Sequence, residues 1–449
     1  MPITNSALNT SVKLLDERYL IWIAAIANVL ASSGFAGFLQ GYILPDQGFE
    51  RGQWDAGNSL YVVYAIGAMA VGFTLILCVQ RPFFLKRGFW LFAAALLPYA
   101  SILWSPDYYA TFRNATFLAC SIFPALATAF YFSPKAVIQI IMRMTTIILL
   151  SSLAVIILVP TYGVHTAVQI GNEGVHAGAW RGIFLHKSTF GEAVGLGMIV
   201  LIMSQRIWLP ARLGMLGLTV VSLVFSESAS PIVFSLCALI TAAFISPRCF
   251  SGTVTKIIRS VSVLSFFGIC IILLDDQNLN LILELLGRDA SLTGRVPAWY
   301  HVLDYLNDLN GPLIVGFGYI TGYDEVVFPA VSDVVDASFF YHIHNGFLDT
   351  YIGLGLVGIS FFLLLTLSAL HNAVSFLKSS NPDLRDLGRV ATPVILYYLL
   401  SNLTTAAFFR GKNPIFCMSF LLIAAVIVHR PWRRSVRPGI GSVTRSMIK

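Results

Sequence analysis

Long apolar segments dominate this sequence and limit what it can fold into. Twelve runs of about 20 residues are strongly apolar, and an α-helix needs about that length to cross a hydrocarbon layer of roughly 30 Å. Such segments must be helical, because lipid offers the backbone no hydrogen-bond partners. Only 11% of the 449 residues are charged and 57% are hydrophobic, whereas soluble domains carry about 25% charged residues. We therefore expect an all-α polytopic membrane protein with about twelve transmembrane helices.

The apolar runs divide the chain into three regions. Residues 1–274 form an N-terminal membrane region of about nine helices, and residues 346–449 form a C-terminal region of about three helices with a basic cytoplasmic tail. Between them, residues 275–345 form a large loop with short helical patterns at 279–288 and 296–306. A connection of this length is usually functional. The predicted spans are 20–44, 59–80, 89–104, 115–132, 145–163, 188–204, 208–226, 229–246, 260–274, 346–370, 390–409 and 413–429.

The distribution of basic residues predicts the orientation of the chain. If both termini are cytoplasmic, the long loop lies outside, and only eight of the 29 lysines and arginines fall in outer segments. This is the bias that membrane proteins show towards basic cytoplasmic loops. It accounts for the net charge of +7 without any nucleic-acid partner. The outer basic residues are Arg51, Arg113, Arg181, Lys187, Arg288, Arg295, Arg410 and Lys412.

The stretch "YHIHNGFLDTYIGLG" (341–355) places polar residues where the long loop returns to the membrane. Polar groups at that depth are costly unless they are paired or face a wet cavity. An imidazole can accept a proton near neutral pH, so His344 is a candidate general base and Asn345 a candidate substrate ligand. The alternative is an interfacial histidine beside a helix that Asn345 caps.

Three outer segments combine basic residues with glycine. "WRGIFLHKS" (180–188) contains Arg181 and Lys187, "SLTGRVPAW" (291–299) contains Arg295, and "FFRGKN" (408–413) contains Arg410. Guanidinium groups suit phosphate oxygens, so these residues are candidates for binding a lipid diphosphate. The alternative for each of these residues is a charge that extends to the membrane surface on its long side chain, or one that is solvated in a loop. The acids Glu192 and Glu227 lie near span ends, and we expect them to be structural partners of these arginines.

The sequence lacks the motifs that cofactor chemistry usually requires. It has no HExxH, no paired CxxC and no Walker A motif, and its six cysteines are scattered. We therefore expect no metal and no nucleotide cofactor. The stretch "GLGLVG" (353–358) spells GxGxxG. Because it lies inside a predicted span rather than after a strand, we interpret its glycines as sites of close helix packing.

Several of these motifs together resemble one enzyme family. The "TGR" of 293–295, a tryptophan four residues later, "GFGY" (316–319) and "HNGFLDTYIGLGLVG" (344–358) resemble the O-antigen ligase/polymerase superfamily. "RGIFLHKSTFGEA" (181–193) and "FSESAS" (225–230) are similar to its exopolysaccharide branch, the succinoglycan type. The resemblance covers most of the chain as topology and about 100 residues as motifs.

The resemblance implies metal-independent, inverting glycosyl transfer at the periplasmic face of the bacterial inner membrane. The donor would be an oligosaccharide on undecaprenyl diphosphate, and the product a growing polysaccharide. Arg295 would bind the diphosphate leaving group, His344 would deprotonate the acceptor hydroxyl, and Arg181 would make a second phosphate contact. Lipid-linked sugar, polysaccharide and membrane lipid are the expected partners, with a flippase and chain-length or export proteins as further candidates.

One departure from the family pattern bears on the choice between its reactions. Ligases of this family usually carry an arginine in the motif corresponding to "SESASP" (226–231), and none is present here. This favours a polymerase over a ligase, which would transfer finished polysaccharide to an acceptor. An alternative from another class is a twelve-helix secondary transporter or flippase. Such proteins often show a repeated half and a long cytoplasmic middle loop, and neither is visible here.

Overall fold

The computed structural model describes residues 17–32, 84–166, 176–204, 208–245, 256–257, 260, 295–308, 314–321, 327, 330 and 343–430. Within these ranges the regular structure is helical, with two isolated β-bridges and no strand, as expected for an all-α protein. In chain order the helices are α1 (Glu17–Leu30), α2 (Phe84–Ala100), α3 (Tyr108–Tyr131), α4 (Pro134–Leu158), α5 (Pro160–Gly163), α6 (Lys187–Met203), α7 (Leu209–Phe225), α8 (Ala229–Ile245), α9 (Arg295–Asp308), α10 (Gly346–Phe376), α11 (Pro382–Ser401) and α12 (Pro414–Val428).

Local capping signals, rather than hydropathy, set where several helices begin. Ser133, Asn381 and Asn413 are N-cap residues whose side chains accept hydrogen bonds from backbone N–H groups of the first turn. Each is followed by a proline, which suits the first helical turn. Consequently α4 and α11 begin well before the apolar runs that start at 145 and 390. The run 390–409 does not form one helix, because α11 ends at Ser401.

The predicted number of membrane spans is confirmed only in part. Three described helices are long and apolar enough to cross a membrane, namely α3, α4 and α10, and α2, α7, α8 and α12 are shorter apolar helices. Leu158 on α4 and Leu364 on α10 are 77% and 69% exposed, as lipid-facing side chains would be. The runs 59–80 and 260–274 and the helical pattern at 279–288 lie outside the described residues, apart from residue 260.

The centre of the bundle is formed by α11 and α12. Helix α12 contacts α1, α2, α3, α4, α6, α10 and α11, and almost every one of its residues is buried. A helix that is apolar on all sides is expected in such a position. Helix α11 packs against α4, α6, α8, α10 and α12. The irregular segment 402–413 between these two helices is therefore held by the core on both sides.

Contacts between loops show which loops share one end of the bundle. The backbone N–H of Trp180 donates to the carbonyl of Phe225 at 2.8 Å, and both residues lie at predicted outer ends. At the opposite end, Nη1 of Arg143 donates to the carbonyl of Arg18 at 3.1 Å. Each of these two contacts joins segments that the predicted topology places on the same side of the membrane, which agrees with helices that cross the membrane in alternating directions.

Helix α10 is interrupted at Gly355, and a segment of the long loop crosses the interruption. Gly355 has φ +63° and ψ −161°, so the helix breaks there. The N–H groups of Phe317 and Gly318 donate to the carbonyls of Ile352 and Gly353, both at 2.9 Å. The atoms nearest to a Cβ at Gly353 or Gly355 belong to 314–320, so these two glycines make room for that loop segment instead of for the neighbouring helix that the sequence predicted. Hydropathy could not identify 314–318 as the segment that packs against these glycines, because this segment forms no regular helix or strand.

Candidate functional site

The residues of the "HNG" motif each have a distinct backbone role at the start of α10. Oδ1 of Asn345 accepts hydrogen bonds from the N–H groups of Phe347 and Leu348, both at 3.1 Å, which is the expected N-cap geometry. His344 is half-buried and has φ +52°, a left-handed conformation in which histidine is enriched among non-glycine residues. Such strained residues cluster at functional sites. The structure therefore confirms Asn345 as the cap, and its predicted role in substrate binding stays a prediction.

Segment 402–413 docks directly against this motif. The N–H of Gly346 donates to the carbonyl of Asn402 at 2.9 Å. A Cβ at position 346 would lie 2.2 Å from Oδ1 of Asn402, so only glycine fits. The hydroxyl of Tyr319, from the long loop, donates to the carbonyl of Phe409 at 2.7 Å, and burial raises the pKa of that phenol. Three segments far apart in sequence thus meet at the start of α10.

Helix α9 of the long loop brings Arg295 to the same place. Nη1 of Arg295 donates to the carbonyl of Thr404 at 2.9 Å. One turn later, the indole N–H of Trp299 donates to the carbonyl of Ile343 at 2.8 Å, directly before His344. The first turn of α9 therefore contacts both of the paired segments, 343–346 and 402–404. The two predicted catalytic residues, Arg295 and His344, lie in one neighbourhood.

A buried acid lies in the second turn of α6. Glu192 is only 4% exposed. The side chain of Thr405 is a hydrogen-bond partner of its carboxylate. The sequence-based expectation that Glu192 is a structural partner of an outer arginine stays a prediction.

Arg410 forms an ion pair at the edge of this site. Its Nη1 lies 3.4 Å from Oδ2 of Asp349, and both side chains are about one quarter exposed. Asp349 lies one turn after the N-cap Asn345 and is the acidic residue in the first turn of α10. Asp349 is not among the residues predicted from the sequence. The available signal was its position, because a carboxylate at the start of an apolar helix usually has a partner.

Arg181 lies in a different set of contacts from Arg295. It is 6% exposed, its Nε donates to the carbonyl of Tyr162, and its Nη1 donates to the carbonyl of Leu185 at 3.4 Å. Its guanidinium carbon also lies 4.5 Å from the centre of the Tyr162 ring. Arg181 thus ties the segment after α4 to the segment before α6. Its predicted role as a second phosphate contact stays a prediction.

Lys187, at the start of α6, pairs with one acid, and its backbone contacts one histidine of a cluster of three. Its Nζ lies 3.7 Å from Oε2 of Glu227, so this acid pairs with a lysine instead of the expected arginine. The rings of His165, His176 and His186 lie 5.5 to 6.0 Å apart, centre to centre. Nε2 of His165 accepts from the N–H of Lys187 at 3.2 Å, so this histidine helps to cap α6.

The described side chains were compared with the ligand sets that hold metal ions. Within those ranges, no group of three or more histidine, cysteine, aspartate or glutamate residues is placed to hold a metal ion. The basic groups at the site are instead guanidinium and imidazole. Fixed guanidinium groups stabilise charge that develops on phosphate oxygens, and an imidazole can move a proton.

Comparison with known proteins agrees with the motifs. Residues 188–363 match the family model described as O-Antigen ligase, and this range contains Glu192, Arg295, His344 and Asp349. No curated protein matches the sequence. The matched range runs from α6 through the long loop into α10, and so includes most of the site described above. Residues 188–363 are thus similar to the O-antigen ligase family, which supports the resemblance of the chain to the O-antigen ligase/polymerase superfamily.

Proposed function

We propose that this protein polymerises oligosaccharide repeat units carried on undecaprenyl diphosphate into exopolysaccharide, at the outer face of the bacterial inner membrane. The observation that carries the proposal is the meeting of Arg295 and His344 across the paired segments 343–346 and 402–404. The family model covers both residues. The outward orientation is supported by the scarcity of basic residues in the loops at this end of the chain.

The mechanism that we propose needs a leaving group, a base and a dry site. As the bond from the sugar to the diphosphate breaks, negative charge builds on the phosphate oxygens, and the Arg295 guanidinium stabilises it. His344 takes the proton from the acceptor hydroxyl, which attacks the anomeric carbon from the opposite face and inverts it. Helix α9 carries Arg295 and contacts residue 343 through Trp299, and at this place it would help to keep water from hydrolysing the donor. Diphosphate is a good leaving group, so the reaction needs no strong acid.

The remaining predicted residues have supporting places in this proposal. Arg410 would contact the donor at the edge of the site, where Asp349 holds its side chain. Arg181 and Lys187 would contribute positive charge near the start of α6, although their observed contacts favour a structural contribution. Partner proteins would be a flippase that supplies the donor and proteins that control chain length or export.

The test is reconstitution of the purified protein in liposomes with a lipid-linked repeat unit, without nucleotide and with a metal chelator present. We expect a ladder of products that are integral multiples of the repeat unit. Arg295→Lys keeps the charge but loses the planar fork that matches phosphate, so we expect a rate loss on the order of 100-fold. A wild-type protein that leaves the donor as single units would contradict polymerase activity.

A ligase is the second candidate, because the matched family model is described as O-Antigen ligase. A ligase would leave single units untouched and would move preformed lipid-linked polysaccharide to a separate acceptor. Supplying both kinds of donor in the same assay therefore distinguishes the two reactions. The absence of an arginine in 226–231 favours the polymerase.

A further inference from the structure

Three histidines that the proposed reaction does not use pack together at the start of α6. The ring centres of His165, His176 and His186 lie 5.5 to 6.0 Å apart, and each pair of rings meets edge to face. His165 is only 1% exposed, and the other two are half-buried. Imidazole is the side chain whose charge ordinarily changes near neutral pH. The cluster is therefore a candidate proton sensor.

Two of the three rings cap α6. Nε2 of His165 accepts a hydrogen bond from the N–H of Lys187 at 3.2 Å, and Nδ1 of His186 accepts one from the N–H of Ser188 at 3.2 Å. The first N–H groups of a helix have no partner within the helix. The two ring nitrogens thus take the place of the side-chain oxygens that cap most helices.

Only neutral imidazole can make these two bonds. The neutral ring has one donor and one acceptor nitrogen, whereas the protonated ring has two donors and no acceptor. Protonation of His165 or His186 therefore points a ring N–H at a backbone N–H, and the cap is lost. A released helix start binds more protons than a capped one, so a fall in pH favours release. The caps are present above the histidine range and are lost as the pH falls through it.

The charges around the cluster give an imidazolium little compensation. Lys187 is 8% exposed, and its ammonium lies 3.7 Å from Oε2 of Glu227. Arg181 lies on the adjoining segment, where it donates to the carbonyl of Leu185, and Glu192 is buried on the second turn of α6. The start of a helix also carries partial positive charge. Glu227, the acid at the first turn, thus already pairs with a buried ammonium.

The histidines join α6 to a small unit of two paired segments. The N–H of His165 donates to the carbonyl of Ala179 at 2.9 Å, and the N–H of Gly178 donates to the carbonyl of His165 at 2.8 Å. The N–H of Arg181 donates to the carbonyl of Gly163 at 2.9 Å. Segments 163–166 and 176–182 are therefore held to each other by backbone bonds, and the ring of His165 attaches this unit to α6.

We propose that His165, His176 and His186 form a proton-sensitive latch at the predicted outer end of α6. The neutral rings hold segments 163–166 and 176–182 against the start of the helix. Protonation releases these segments and frays the first turn of α6, and repulsion between neighbouring imidazolium rings keeps them apart. The inference is independent of the proposed glycosyl transfer, because it concerns a conformational equilibrium and not the reaction.

Hydrogen–deuterium exchange of the full-length protein in lipid nanodiscs tests the latch. Peptides covering 180–190 are compared at about pH 7.5 and about pH 5.5, on either side of the ordinary histidine range, after correction for the intrinsic pH dependence of exchange. We expect exchange to be on the order of 10-fold faster at the lower pH, the effect of losing an N-cap. The first turn of α11 is the internal reference, because Asn381 caps it with an oxygen that does not titrate.

The decisive variant combines His165→Gln with His186→Asn. The amide oxygens of the new side chains can accept from the same N–H groups but do not titrate. We therefore expect slow exchange of 180–190 at both pH values. His371→Asn is the matched control, because His371 is exposed on α10, and we expect it to keep the full response of the wild type.

The wild type alone can overturn the proposal. If exchange of 180–190 does not change with pH, the latch does not exist, whether or not the double variant can be purified. A double variant that keeps the full pH response would assign that response to another titratable group, such as Glu192, and would equally overturn the latch. If a metal chelator at the higher pH releases 180–190 as acid does, the three rings hold a metal ion and the proposal is wrong.

Discussion

The indole N–H of Trp299 donates to the carbonyl of Ile343 at 2.8 Å, the residue immediately before His344. This bond joins the helix that carries Arg295 to the peptide that carries the candidate base. Apolar contacts reinforce it, because Ala298 and Val302 of α9 pack with Ile343 in one buried cluster. The long loop therefore contributes directly to the walls of the site.

The first prediction separates the imidazole of His344 from its backbone conformation. His344→Asn retains a residue that tolerates positive φ but removes the base, and we expect it to abolish polymer formation. His344→Ala should do the same. Polymer size and amount in cells, measured with the amount of protein in the membrane, give the result. His342→Ala is the control, and we expect normal polymer, although this residue lies outside the described part of the chain.

If His344→Asn made normal polymer while His344→Ala made none, the histidine would matter for its backbone alone. The proposed general base would then have to be another group.

The second prediction concerns the crossing of α10 by the long loop. Gly316 has φ +73°, and a Cβ there would lie 2.5 Å from the carbonyl carbon of Gly353. We expect Gly316→Ala to destabilise the protein by about 1–3 kcal/mol or more, because the positive φ disfavours a side chain and the backbone of Gly353 leaves no room for one. Thermal unfolding in detergent measures the loss.

Gly214→Ala on α7 is the matched control, since a Cβ there has no neighbour within 4 Å. We expect it to be neutral or to stabilise by about 0.5–1 kcal/mol. An equal unfolding temperature for both variants would show that 314–318 does not cross α10 as described.

The third prediction tests whether Asp349 and Arg410 act as a pair. Both are partly buried and 3.4 Å apart, so the loss of either leaves the other charge without its partner. We expect Asp349→Ala and Arg410→Ala to be non-additive, with a coupling of about 0.5–3 kcal/mol in unfolding free energy. A double-mutant cycle measures this coupling. Strictly additive effects would show that the pair contributes nothing to stability.

The fourth prediction asks whether Arg181 serves structure or substrate. Its guanidinium contacts the carbonyl and ring of Tyr162 and the carbonyl of Leu185. We expect Arg181→Ala to lower stability by about 1–3 kcal/mol. Glu227→Gln should change stability by less than about 0.5 kcal/mol, because Glu227 is more than half exposed. Unchanged stability of Arg181→Ala with loss of donor binding would instead support its predicted phosphate contact.

Much of the site was visible in the sequence because its residue types are costly in a membrane. His344 and Arg295 stand out in the sequence, and in the structure His344 has a positive φ and Arg295 a hydrogen bond to Thr404. Hydropathy likewise predicted α6, α7, α8 and α12 to within about two residues. The starts of α4 and α11 were missed because capping by Ser133 and Asn381 extends those helices beyond their apolar runs.

The order of the helices along the chain follows from local rules. A segment that crosses lipid has to be a long apolar helix, and an isolated charge within it is costly. The way distant segments meet does not follow from those rules. Asn402 accepts a hydrogen bond from Gly346, and segment 314–318 enters the break at Gly355. These pairings join irregular backbone to segments far away in the sequence, and irregular backbone has no periodicity from which a partner could be predicted. Only packing in three dimensions selects such partners, because it brings together donors and acceptors that are far apart in the sequence.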